Sequence, residues 1–229
     1  SNVVFFARLG QRIIHLLSTN TPAGKLYEVD MRLRPSGSSG LLVSTLAAFE
    51  QYQRQEAWTW EHQALVRARV VTGCKHLQSR LEAVRGQILC QIRDPDELRL
   101  EVAAMRQKMR DHLLKPNGGV YFDLKQGVGG IVDIEFIVQY WVLRWAHEHQ
   151  NLITYTDNVR ILEELSRFEL IPKTEAHQLT QAYIAYRAVT HRLVLQNQKA
   201  QLELEGFEQT PFCQHSNHVR AIWDRLFLS

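Results

Sequence analysis

Residues Ile131 to His147 are apolar on nearly every side. Ile134, Phe136, Ile137, Val138, Tyr140, Trp141, Val142, Leu143 and Trp145 do not fit into one stripe of a helix. A surface helix keeps a broad polar face, and this one has none, so it must be the buried centre of a helical bundle. Other helices have to cover it, and the rest of the chain supplies them.

Val3 to Ser18 reads as a helix with Phe5, Phe6, Leu9, Ile13, Leu16 and Leu17 on one stripe. Ser44 or Thr45 caps a helix running to about Gln55. Trp58 to Val71 forms another and stops at Gly73. Leu77, Leu81, Val84, Ile88 and Leu89 mark a third in this series. Asp94 caps and Pro95 opens a helix that reaches about Leu114, before the break Lys115–Gly119. Val120 to Lys125 is extended, and Gly127–Gly130 breaks the chain again. Asp157 caps a helix to about Phe168, Pro172 starts one that extends past Leu195, and Val219–Leu228 closes the chain.

The opening stretch is different. Thr19–Gly24 is a loop. Tyr27 to Arg34 then alternates: Tyr27, Val29, Met31 and Leu33 on one side, Glu28, Asp30, Arg32 and Arg34 on the other. That is the pattern of a strand with a core face and a charged face, ended by Pro35 and turned by Ser36–Gly40. Leu41–Val43 is a second short strand or a lead-in. The charged face is either solvated or a place where a metal and phosphates meet. The chain therefore divides into an α/β piece, residues 1–43, and a helical domain, residues 44–229. One or two strands do not make a stable sheet. The first piece reads as the tail end of a domain whose beginning lies before Ser1.

Two further places could carry chemistry. Trp60, Glu61 and Arg69 could form a polar pocket wall; equally, they belong to a salt-bridged helix with core tryptophans. The loop Lys125–Gly130, followed by Asp133 and Glu135, either offers bare N–H groups to an anion or is a well-capped helix start. An anion there would need a metal or Lys125 to offset the two acids. Carboxylates at the head of so apolar a helix are enclosed and need partners, with Arg67 or Arg69 the candidates.

The exclusions are broad. The formal charge of +3 over 229 residues, with no basic tail, does not suit nucleic-acid binding. Cys74, Cys90 and Cys213 form no pair of metal-binding spacing, and no apolar run reaches membrane-spanning length, so a cytoplasmic protein without a membrane partner is expected. No nucleophile motif is present.

Three long motifs carry a resemblance. They are Tyr27–Gly37, Glu56–Arg69 and Gly129–Phe136, with Asp157–Leu162 a fourth, shorter one. In this order they resemble the bacterial glutamine synthetase adenylyltransferase family. Its members have two similar halves, each a polymerase-β-like nucleotidyltransferase domain followed by a helical domain. The resemblance implies a mostly α fold: a helical bundle domain attached to the tail end of such an α/β domain. Ser36, where the amino-terminal half carries phenylalanine, together with the Glu56–His62 stretch and the closing helix, points to the carboxy-terminal, adenylylating half. The alternative is the adenylyl-removing half.

The resemblance also implies ATP and Mg2+ as cofactors. Asp30 would be the third metal carboxylate, with Arg32 and Arg34 beside it for phosphate charge, and Glu61, Arg69, Lys125, Asp133 and Glu135 on the wall facing the nucleotide. The other two metal carboxylates come from a Gly-Ser-x-x-Asp-x-Asp motif that this chain lacks, so the chain alone is expected to be inactive. Implied partners are glutamine synthetase, the PII signalling protein and glutamine as effector. A binding module for any of these three is the alternative of a different class.

Overall fold

The structure is a computed structural model describing residues 2–25, 27–114 and 120–228. The helices are α1 (Asn2–Ser18), α2 (Leu46–Gln55), α3 (Thr59–Val66), α4 (Lys75–Leu89), α5 (Pro95–Leu113), α6 (Ile131–Trp145), α7 (Asn158–Arg167), α8 (Lys173–Leu195) and α9 (Pro211–Phe227). Two small antiparallel ribbons complete the fold. One is β1 (Asn20–Thr21) with β2 (Gly24–Lys25); the other is β3 (Tyr121–Asp123) with β4 (Gln201–Glu203).

Helix α6 occupies the centre. It packs against α3, α5, α7, α8 and α9. Its buried residues run from Ile131 to Leu143 and face every direction, as a helix without a polar side requires. Trp141 and Tyr140 are among the largest fully enclosed side chains. The flanking helices begin where their caps dictate. Thr45 accepts the Ala48 N–H, Asp94 accepts those of Asp96 and Glu97, and Asp157 accepts that of Arg160. The predicted break at Lys115–Gly119 lies outside the described residues.

Four expectations change. First, Tyr27–Arg34 is not a strand, and neither is Leu41–Val43. Tyr27 is 62% and Leu33 69% exposed on what was to be the core face. A strand needs a neighbour to accept its ladder, and the ribbon β1–β2 offers none beyond its own two residues. Second, α1 forms as expected but buries none of its residues. Its apolar stripe faces water, with Gly10 lying against Leu42 and Val43.

Third, α3 ends at Val66 rather than Val71. The Arg85 guanidinium, from α4, donates to Leu65 O at 2.7 Å and Val66 O at 2.8 Å, and also to Ile153 O at 2.8 Å. It takes the carbonyls that would have extended the helix. Trp58, just before α3, is 70% exposed and not a core residue. Fourth, α9 starts at Pro211, with Pro at its first turn, well before Val219.

His62 on α3 carries a pH prediction. Its Nε2 lies 2.9 Å from Gln53 O, and Arg93 Nη2 lies 3.4 Å from its Nδ1. Those partners suit a neutral ring with the proton on Nε2. Burial pushes the His62 pKa below the ordinary 6.5. The unfolded chain therefore binds this proton at a higher pH than the folded one. The stability from a neutral His62 is complete above the ordinary imidazole pKa and is lost as pH falls through it. Thermal melting between pH 7.5 and pH 5 should show a shallower fall for His62→Gln than for the parent, and equal slopes would reject the assignment.

Candidate functional site

The loop before α6 is shaped by close approaches. Gly129 has φ +78°, and a Cβ there would stand 2.4 Å from Ser216 O of α9. Only glycine fits both the left-handed conformation and the contact. Ser216 Oγ donates to Val128 O at 2.9 Å, fastening the loop to α9. The N–H groups are not bare. Ile131 donates to Leu124 O and Val132 to Lys125 O, while Gly129 N–H donates to Asp133 Oδ2 at 2.7 Å. The anion-cradle reading of this loop is therefore corrected: it is a capped helix start.

Asp133 is fully buried. Arg106 Nε donates to its Oδ1 at 2.6 Å, and Arg110 Nη2 donates to the same oxygen at 3.0 Å and to Oδ2 at 3.2 Å. Arg106, also fully buried, spends its other nitrogens on Gln126, donating to the side-chain Oε1 and to the backbone oxygen. Asp133 is thus enclosed and clamps α5, the loop and α6 together. For Asp133 the expected arginine partners, Arg67 or Arg69, are corrected to Arg106 and Arg110. The signal was present: Arg106 continues the buried row Leu98–Val102 at intervals of four. Burial pushes the Arg106 pKa below its ordinary value, with the Asp133 charge working against that.

The rest of the proposed wall comes apart. Glu61 is buried beside Tyr52, whose hydroxyl donates to it at 3.0 Å, and it caps α3 by accepting the Trp58 N–H at 3.0 Å. It has a structural task and is not brought beside Arg69. Arg69 is exposed and borders a hollow of about 480 Å³ floored by Phe49, Leu65, Leu81 and Ile153. Glu135 pairs with Arg67, as one of the two options foresaw, and with Lys125 it lines a second hollow against α8.

Asp30 stands in the open. Arg32 chelates it: Nη2 donates to Oδ2 at 2.6 Å, Nε reaches both oxygens at 3.0 Å, and the Arg32 backbone N–H donates to Oδ1 at 2.9 Å. These hydrogen bonds hold the Asp30 pKa down at about 2. Arg34 turns inward instead. Its guanidinium donates to Met31 O at 2.7 Å, Ser38 O at 3.1 Å and Gly40 O at 3.2 Å, pinning the loop that follows. Its forecast place beside Asp30 is corrected to a loop anchor. Among the described residues no three His, Cys, Asp or Glu side chains gather as a metal site. Asp30 alone does not hold a magnesium ion, which takes near-octahedral oxygen coordination.

Two family models match this chain, over different stretches. Residues 1–84 match the one described as glutamate-ammonia ligase adenylyltransferase, and residues 99–220 match the one described as PII-uridylyltransferase. Both descriptions name nucleotidyltransferases. The bifunctional glutamine synthetase adenylyltransferase/adenylyl-removing enzymes of Pseudomonas putida and Pseudomonas aeruginosa are 52% and 55% identical to it, each over 98% of this chain. That of Nitrosococcus oceani is 55% identical over 98% of the chain. The chain belongs to this adenylyltransferase/adenylyl-removing family, and it spans about a quarter of the relatives' length, 22–24%.

Two outcomes test this geometry. Arg106→Met leaves a buried carboxylate short of its main partner and should cost roughly 3–5 kcal/mol in urea unfolding, with Arg106→Met/Asp133→Leu losing less than the two single changes summed. Arg32→Ala should return the Asp30 pKa from about 2 towards 3.8 in an NMR titration. An unmoved value would dissolve the pair.

Proposed function

We propose that the chain is part of the carboxy-terminal half of an enzyme that transfers AMP from ATP to a tyrosine hydroxyl of glutamine synthetase, releases pyrophosphate and so regulates nitrogen assimilation. The observation that carries the reading is identity above 50% across nearly the whole chain to relatives that bear this name. Ser36 and the Glu56–His62 stretch support the carboxy-terminal assignment.

In this reading residues 1–43 are the tail of a polymerase-β-like domain and residues 44–229 its helical companion. Two features support that division. The α1 stripe faces water, and Tyr27–Arg34 keeps strand alternation without a strand to pair with. Asp30, ionised at any physiological pH, is one carboxylate of a magnesium site whose remaining ligands this chain does not supply. Its role is to present charge where Arg32 now neutralises it, so a cation arriving there competes with that guanidinium.

In the full-length enzyme, Asp30→Asn should abolish AMP transfer to glutamine synthetase while the melting temperature stays as in the parent. Undiminished transfer would remove Asp30 from the reaction. The 229-residue chain with ATP and magnesium should not label glutamine synthetase.

One observation favours a second reading. Residues 99–220 match a family model separate from that of residues 1–84, which itself runs through α2 and α3 into α4, and this reading takes residues 99–220 as a module shared between enzymes. It then serves as a docking or sensing surface for glutamine synthetase, PII or glutamine. Calorimetry with each of the three discriminates: heat with none leaves the catalytic role alone.

A further inference from the structure

We propose that the hollow between the first turn of α6 and the last turns of α8 binds a small organic anion: an oxyanion head, carboxylate or phosphate, on a short apolar body. The hollow measures about 760 Å³, within the range of small-molecule sites.

Its charge is unbalanced. Lys125 at one side has no ion pair among the described residues, and its backbone is held in place by Asp123 Oδ1 at 2.9 Å. Arg187, across from it on α8, has no carboxylate partner either. Among the described residues its guanidinium reaches the Tyr183 hydroxyl at 3.5 Å, the limit of a hydrogen bond, and lies 5.7 Å from the centre of the same ring. Glu135 is the acid in the lining, and Arg67 already occupies it. Each of these facts favours an anion.

The walls decide what the anion is attached to. Val132 and Val194 line the hollow together with Ile131 and Leu195. Val194 is 57% and Leu195 85% exposed, so a bare inorganic ion would leave this surface in water. An apolar body on the ligand covers it. The N-terminus of α6 takes no part, because its first N–H groups are bonded to Leu124 and Lys125 carbonyls. Binding therefore rests on the two side-chain cations. Lys125 and Glu135, which the family resemblance puts on the wall facing the nucleotide, line the hollow, whereas Asp30 and Arg32 do not, so loss of AMP transfer on changing Asp30 and loss of anion binding here are separable results.

Titration calorimetry of the 229-residue chain with butyl phosphate, valerate and inorganic phosphate tests it. Saturable binding of butyl phosphate, valerate or both is expected, tighter than inorganic phosphate, and the stronger arm identifies the head group. Arg187→Gln and Lys125→Gln should each weaken that binding roughly tenfold, as loss of a charged hydrogen bond does. Arg192→Gln, on the same helix but outside the hollow, and Asp30→Asn should leave it unchanged. Melting curves confirm that each variant is folded. The proposal is overturned if neither tailed anion saturates, if inorganic phosphate binds as tightly as they do, if both lining variants bind like the parent, or if Arg192→Gln weakens binding as much as they do.

Discussion

The structure depends on one buried carboxylate. Asp133 sits at the head of the central helix, where its charge complements the helix dipole and meets two guanidinium groups and a backbone N–H. Three segments converge on it: α5 through Arg106 and Arg110, the glycine loop through Gly129, and α6 itself. A pair of this kind is not a large net source of stability, because desolvating the charges costs about what their attraction returns. What it supplies is definition. Removing one partner strands a charge in the core, so the three segments keep one mutual arrangement.

The glycine loop follows from that. With the N–H groups of Ile131 and Val132 paired to loop carbonyls, and Gly129 pressed against α9, the chain between β3 and α6 has little freedom left. Gln126 is held by Arg106 from within, which fixes Lys125 beside it at the mouth of the α6–α8 hollow. A buried structural clamp thereby sets the position of an exposed cation. Of the two readings the glycine stretch allowed, an anion cradle or a capped helix start, the second describes it, and it acts here as a brace.

Much of the helical architecture was legible because its signals are local. Thr45, Asp94 and Asp157 cap as their spacing implies, and no other role suits a helix as apolar as Ile131–Trp145. What was not legible is set by distant partners. The end of α3 is decided by Arg85, twenty residues on. Strand β4, at Gln201–Glu203, is too short to show a period and exists because β3 lies beside it. At Tyr27–Arg34 the pattern is a strand's, but a pattern does not supply the neighbour that a strand requires. The candidate site was legible as residue types and not as a constellation. Asp133 and Glu61 turn out to be sealed, Arg34 serves its own loop, and Lys125 and Glu135, expected together, share a hollow with α8 that no local pattern had joined to them.

Arg85 joins the end of α3, the body of α4 and the turn at Ile153 through three carbonyls, each bonded by a different guanidinium nitrogen. Such a joint depends on the flat, branched shape of guanidinium more than on its charge. A lysine in that place would keep the positive charge yet direct its donors from a single nitrogen, and so could not bridge all three segments at once. Two side chains usually treated as interchangeable would here give differently connected proteins.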